Sequence, residues 1–342
     1  SQAGLFFAMQ FGGSLIGVAI SSVVQARRGY RAALVLGYLL EAAGIVGLNA
    51  SSEYSALFVT AVYGCGFGVA IPATNLCIAE ISGPRRSASL NLLNMAWGGG
   101  AIVCPLLILA GLKFHLLSEI LIMLTACAVL LSFVFWFTKF ETHNTKLPGA
   151  SAAMESGRRH PLHVPVALGM LFFIYVGTEN GISGWAAEEA RRVGAAGSAT
   201  IIPMFFWAAL LSGRGLSALI LSRIKENSLV ISGLLVSVLG TACLALAISR
   251  TQIIGSVILA GVGLSGVYPI FISWLSKWYG EQARRLGGVM FSLASLGGAT
   301  VPWVVGFVSQ RSNSLRSGLL VPLVGCIAMM AVVSALRRRI SA

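Results

Sequence analysis

The sequence predicts an all-α polytopic membrane protein, and three observations lead to that class. Of 342 residues, 56% are hydrophobic and 10% charged, where soluble domains carry about 25% charged residues. The apolar residues fall in repeated runs of about twenty, the length a helix needs to cross about 30 Å of hydrocarbon. Forty glycines suit helix packing in lipid, where small residues let backbones approach closely.

Eleven spans follow in chain order, at 3–24, 32–49, 55–80, 87–111, 116–138, 164–187, 198–222, 228–248, 252–275, 286–308 and 317–336. The first lacks the basic leader and cleavage site of a signal peptide. The longest polar break, 140–163, divides five spans from six. It predicts a first helical bundle over 1–139 and a second over 164–342, joined by a linker.

Lysine and arginine set the orientation. Seventeen lie in one set of alternate loops, with the linker and the terminal Arg337, Arg338 and Arg339, against six in the other set. The richer side faces the cytoplasm by the positive-inside rule, which leaves Ser1 outside. The net charge of +13 is spent on short loops rather than on a groove, so no nucleic-acid partner is expected. Six cysteines lie singly in apolar runs with no CxxC pair, which removes zinc and redox readings. Three of the four histidines share one polar loop. The chain has no aspartate, so every acidic role falls to eleven glutamates.

A repeat runs through the chain. Pro72 and Pro105 are 33 residues apart, as are Pro269 and Pro302, with an offset of 197 from Pro72 to Pro269. Under that offset Gly66 maps onto Gly263, Gly100 onto Gly297 and Ser1 onto Ser198. The span at 164–187 then has no partner in the first half, and the expectation is twelve helices with the first one absent here. Internal repeats flanking a midplane site are the mark of secondary transporters.

The unpaired span holds the main candidate. VPVALGMLFFIYVGTENGISGWAAEEARR (164–192) opens as an apolar helix and then places Glu179 and Asn180 among Gly177, Gly181 and Gly184, with Trp185 following. An ionisable residue inside a membrane span is a functional-site candidate by default; a packing hydrogen bond to a neighbouring helix is the alternative. Glu41 lies mid-span and reads as a structural hydrogen bond. Trp97 with Gly98, Gly99 and Gly100 reads as close packing that lets helices slide. Glu80, Arg85 and Arg86 read as topological or gating charges at the inner surface.

Two motifs are decoys. GVGLSG at 261–266 satisfies GxGxxG, but a dinucleotide turn follows a strand and opens a helix, whereas this one sits inside a continuous apolar span. Asn49-Ala50-Ser51 is a short sequon on an outward loop. No nucleophile with a base and an orienting group emerges, so an enzyme is not expected, nor is a cofactor or metal site.

The loop SVVQARRGYRAAL resembles the major facilitator signature Gly-x-x-x-Asp-Arg-x-Gly-Arg-Arg. Arg27, Gly29 and Arg31 match, while Ser22 and Ala26 stand where Gly and Asp occur, so the acid of that loop's charge relay is missing. YVGTENGISGW (175–185), FFWAALLSGRG (205–215) and VYP…LGGATVPW resemble the sugar-transporting branch, which includes fucose permease-like and sodium-dependent glucose transporter-like proteins. The resemblance implies the major facilitator fold, with two helical bundles and a central cavity. It places Ser1 at the start of the family's second helix and Glu179 on its seventh. It also makes Asn75, Glu179, Asn180, Trp185 and Tyr268 substrate-binding candidates.

Amides and carboxylates bind hydroxyls, and an indole face packs on a sugar's C–H face. Trp185 has an interfacial aromatic belt as its alternative place, and Tyr268 has a role anchoring a broken helix at Pro269. Glu179, Arg214 and Asn94 are the coupling or gating candidates. Arg214 is set about 8 Å from Glu179 in depth at about 1.5 Å per residue. A direct pair with Glu179 is therefore not the first expectation. The resemblance, in which the family's fifth and eighth helices face each other, implies Asn91 or Asn94 as the partner of Arg214, with inward snorkelling as the alternative. The implied function is a monomeric, multi-pass plasma-membrane transporter for a sugar or similar small polar solute, driven by H+ or Na+. Efflux of amphipathic compounds and a non-transporting receptor that kept the fold are the alternatives.

Overall fold

The computed structural model describes residues 2–49, 52–138, 161–194, 199 and 201–340. Nearly all of the predicted linker at 140–163 and Ser51 of the sequon lie outside the described residues. The helices are α1 (Gln2–Asn49), α2 (Glu53–Ile81), α3 (Arg86–Phe114), α4 (Leu117–Phe137), α5 (His163–Arg192) and α6 (Ile202–Ile220). They continue with α7 (Glu226–Leu246), α8 (Arg250–Leu264), α9 (Val267–Tyr279), α10 (Ala283–Ser312) and α11 (Leu315–Ile340). Among the described residues nine helical stretches are long and apolar enough to cross a membrane, and the all-α class holds.

Helix α1 joins two predicted spans. Forty-eight residues would reach about 72 Å as one rod, more than twice the hydrocarbon thickness. The chain instead reverses at Gly29, whose φ of 77° and ψ of −178° lie in a region that glycine enters without steric cost. The packing against α2 proves the reversal. Gln10 faces Gly64 and Ser14 faces Gly68, so the first half runs parallel to α2. Gly37 faces Ala70, Gly44 faces Tyr63 and Gly47 faces Val59, so the second half runs antiparallel. Tyr30, next to the turn, donates to Glu80 Oε2 at 2.7 Å and ties the turn to the end of α2.

The sequence repeat reappears in the packing, residue by residue. A Cβ on Gly66 would lie 2.7 Å from the Gly37 carbonyl oxygen, and one on Gly263 would lie 2.6 Å from that of Gly233. Gly64 against Gln10 is matched by Gly261 against Phe206, and Gly44 against Tyr63 by Gly240 against Ala260. Gly17 against Cys65 and Gly68 is matched by Gly213 against Val262 and Ser265. The offset is 196 on the α1 side (Gly44 to Gly240) and 197 on the α2 side (Tyr63 to Ala260). The second copy thus holds one extra residue in the connection between these helices. Such close approach is what small residues permit in lipid, where dispersion contacts rather than hydrophobicity hold helices together.

Two compact units are present. One contains Ser1–Gly83, Val103–Gly157 and Leu275–Ser295; the other contains Pro84–Ile102, Arg158–Trp274 and Leu296–Ala342. The first holds the crossing of α1 and α2, and Glu41 sits within it. That residue's expected structural hydrogen bond does not form: its side chain has no hydrogen-bond partner among the described residues. Its neighbourhood is instead backbone, since the Glu41 amide and Cγ press on Gly66.

The second unit contains α5, α6, α7, α8, most of α9 and α11. Its α8 and α9 correct one expectation. The apolar run at 252–275 is not one continuous helix, because it breaks at Ser265 and Gly266. Pro269 supplies no N–H to the turn before it, and proline inside a helix removes a ladder bond. The GxGxxG run therefore ends at a helix break, with no strand before it.

Candidate functional site

Helix α5 explains its own place in the second unit. Leu168, Phe172, Tyr175, Glu179, Ile182 and Ala186 recur every three or four residues and are all buried, so they form one face of the helix. Glu179 therefore points inward with the apolar residues. Close approach fixes the helix: Gly177 lies against Val301 and the Gly297 carbonyl of α10, and Gly325 of α11 lies against Thr178 Oγ1.

A buried charge must be paired and hydrogen-bonded. Glu179 is 7% exposed and Arg214 2%, and they meet: Arg214 Nη2 donates to Glu179 Oε1 at 3.4 Å. Arg214 Nη1 donates to the Asn94 backbone carbonyl at 2.8 Å. Asn94 is thus the expected neighbour of Arg214, through its carbonyl rather than its amide. The amide Nδ2 donates back to Leu90 O at 2.9 Å.

Glu179 and Arg214 meet despite their expected difference in depth. Rise along two helix axes leaves out the several ångströms that an arginine side chain spans between backbone and guanidinium. Asn91 does not receive Arg214; its Nδ2 donates to Ser87 O, and its Oδ1 has no partner.

The pair is asymmetric. A bidentate fork is the strong form of an arginine–carboxylate contact, and here one long bond joins the two. The short bond goes to Asn94. Arg214 Nε is buried without a partner, and among the described residues Glu179 Oε2 accepts no hydrogen bond. Tyr175, fully buried, places its hydroxyl 3.2 Å from Glu179 Oε1 and 3.0 Å from the Leu264 carbonyl oxygen.

Tyr268, the second residue of α9, stacks on Tyr175 with ring centroids 5.1 Å apart and an interplanar angle of 22°. Phe172 meets Tyr268 edge-on at 5.3 Å. The Tyr268 hydroxyl makes no hydrogen bond among the described residues.

The other candidates fall in different places. Asn180 donates to Val176 O at 2.8 Å from a half-buried position. Trp185 bridges two helices. Its indole N–H donates to Pro302 O at 2.9 Å, and its ring lies against Gly306, where a Cβ would approach to 2.8 Å. Trp185 therefore packs α5 on α10. Asn75 belongs to the first unit, where it is buried and donates to Ile71 O at 2.9 Å.

The glycine run is split as well. Gly98 lies against Leu211, Trp97 meets Trp207 edge-on at 5.8 Å, and Gly99 and Gly100 have nothing within 4 Å. Gly297, the repeat mate of Gly100, lies against Phe173 of α5.

Two features escaped sequence reading. Tyr175 stands four residues before Glu179, a spacing that puts both on one helix face, so that signal was available. The Leu264 carbonyl had none, because a backbone oxygen at a helix break leaves no mark in composition. Among the described residues no group of three His, Cys, Asp or Glu side chains could hold a metal ion.

The arrangement is a buried cluster of a weakly held carboxylate, a guanidinium and two phenols. A family model described as Major Facilitator Superfamily matches residues 1–252, and the chain belongs to that family of membrane transporters. No curated protein matches in sequence. Solved structures share the fold. The E. coli fucose:proton symporter FucP superposes with a TM-score of 0.78 at 20% identity, over 97% of this chain and 90% of that one. The proton:xylose symporter XylE gives 0.80 at 15% identity, over 97% and 85%. The human organic anion transporter TETRAN gives 0.81 at 16% identity, over 97% and 83%. At these identities the likeness is one of fold. The family match and the nine apolar helical stretches among the described residues make the chain a multi-pass membrane protein.

Proposed function

We propose that the chain moves a sugar or a similar small polar solute across the plasma membrane by alternating access between halves 1–139 and 164–342, coupled to a cation. One observation supports this above the others. Glu179 Oε1 is held at 3.4 Å by Arg214 and at 3.2 Å by Tyr175, while Oε2 and the Tyr268 hydroxyl make no hydrogen bond among the described residues. A carboxylate and a phenol with spare bonding capacity suit a polyol. An acid that is loosely paired can also take up a proton, while Arg214 keeps the Asn94 carbonyl.

Asn180 is a further substrate ligand in this reading. Trp185 shapes the wall from its place on Gly306. Arg214 with Asn94 gates the site. Two of the fold relatives are proton symporters for fucose and xylose, which favours a sugar and H+ over Na+.

The test is uptake of radiolabelled fucose and xylose into proteoliposomes, with an imposed proton or sodium gradient and, separately, in counterflow. Glu179→Gln is expected to abolish gradient-driven accumulation and leave part of the counterflow. Equal loss in both would make Glu179 a substrate ligand or a structural residue. No loss in either would remove it from coupling. Transport of organic anions in place of sugars would overturn the substrate class.

A further inference from the structure

The phenol of Tyr175 carries one proton and faces two acceptors. Its oxygen lies 3.0 Å from the carbonyl of Leu264, the last residue of α8, and 3.2 Å from Glu179 Oε1. A hydroxyl donates once and accepts through its lone pairs. If Glu179 is a carboxylate, it and Leu264 compete for that single proton, and the loser goes without. If Glu179 is protonated, a complete chain forms: the acid O–H donates to Tyr175 Oη, and Tyr175 donates to the Leu264 carbonyl.

We propose that Tyr175 is a positioning residue that ties the protonation of Glu179 to the break between α8 and α9. The inference rests on the reading of Glu179 as the coupling acid. The proton comes from water in the solute pathway and binds the carboxylate oxygen. No bond of Tyr175 is broken, and only the direction in which its O–H points is changed.

Leu264 is where the change acts. Carbonyls at a helix C-terminus lack the partner that an uninterrupted ladder would give, and an unpaired buried carbonyl is costly. Three residues of backbone separate Leu264 from Tyr268, the phenol left open for solute. The stacking of Tyr268 on Tyr175 joins the same two helices a second time.

Two other charged or titratable groups lie around Glu179. Arg214 approaches from α6, donates to the Asn94 carbonyl of α3 and also reaches the Tyr175 hydroxyl, where it can donate to the second lone pair of that oxygen. Tyr268 faces it from α9, and its hydroxyl is not among Glu179's partners. At the neighbouring Gly181, α10 and α11 present Val301, Val305 and Pro322, all apolar. Loss of the proton thus releases the α8–α9 turn, and its return locks the turn.

Hydrogen–deuterium exchange of the whole chain in detergent reads this without a known solute. The amides of Ser265, Gly266, Val267 and Tyr268 are followed at mildly acid and mildly alkaline pH, after correction for intrinsic exchange. The parent chain should exchange about fivefold faster at alkaline pH, the ratio that one net hydrogen bond carries. Tyr175→Phe should be fast at both pH values. Glu179→Gln, whose amide donates to Tyr175 permanently, should be slow at both.

A purely packing role for Tyr175 would speed exchange in Tyr175→Phe but keep the pH ratio, and that result overturns the proposal alone. A parent chain with no pH ratio, unchanged in Glu179→Gln, overturns both the relay and the coupling role of Glu179. If Tyr175→Phe fails to fold, the Glu179→Gln profile decides: retained pH dependence there refutes the relay.

Discussion

Replacing Arg214 is the sharpest test of how the buried site is held. Its guanidinium is 2% exposed, donates at 2.8 Å to Asn94 O and at 3.4 Å to Glu179. Arg214→Ala strips both acceptors and strands a buried carboxylate, for which removal of one partner costs about 3–5 kcal/mol. Arg214→Lys keeps the charge but gathers its donors on one nitrogen with a shorter reach, without the planar fork whose separate Nη1 and Nη2 span Asn94 and Glu179. It should lose one charge-assisted bond, about 1.5–3 kcal/mol. A double-mutant cycle with Glu179→Gln isolates the pair. Contacting residues couple by about 0.5–3 kcal/mol, and one bond of 3.4 Å puts the expected value at the low end. Thermal unfolding in detergent, followed by tryptophan fluorescence, measures all four species, with counterflow on the same preparations. An Arg214→Lys chain that unfolds and transports like the parent would refute the reasoning. So would a cycle with no coupling energy, since the ion pair would then contribute nothing.

The repeat predicts matched effects at matched glycines. Gly66→Leu and Gly263→Leu each force a side chain into a backbone crossing and should each lower stability by about 1–3 kcal/mol or more. Gly100→Leu, which meets nothing within 4 Å, should change it by less than about 0.5 kcal/mol; unequal losses at Gly66 and Gly263 would break the structural equivalence. Glu226, the first residue of α7, accepts from Ser87 Oγ, from Ser273 Oγ at 3.2 Å and from Trp274 Nε1 at 2.9 Å. Glu226→Ala leaves these buried donors without that acceptor, at about 1–3 kcal/mol for each one unsatisfied. Glu226→Gln should cost less, and an alanine variant as stable as the parent would show that the node is idle.

Much of the architecture was legible in the chain because lipid imposes it. A helix crossing hydrocarbon must be long, apolar and internally hydrogen-bonded, so the run lengths of the sequence report the spans directly. The prolines and glycines at a shared offset reported the repeat, because a close crossing accepts no side chain; the structure places Gly66 and Gly263 at equivalent crossings, whereas Gly297 is tightly packed and Gly100 is open. Glu179 was visible for the opposite reason, as a group that lipid does not tolerate without a use.

What the sequence could not decide were distances between helices. Rise along an axis gives depth only, so it separated Glu179 from Arg214, which the structure joins. It also left Trp185 between two roles when its N–H was bound for the Pro302 carbonyl. Composition showed a continuous apolar run at 252–275, but it could not show the break at Ser265. Nor could it place the Leu264 carbonyl beside Tyr175. Backbone oxygens and side-chain reach have no code in the sequence. The site is made of both, so only the packing of α5, α6, α8 and α9 assembles it.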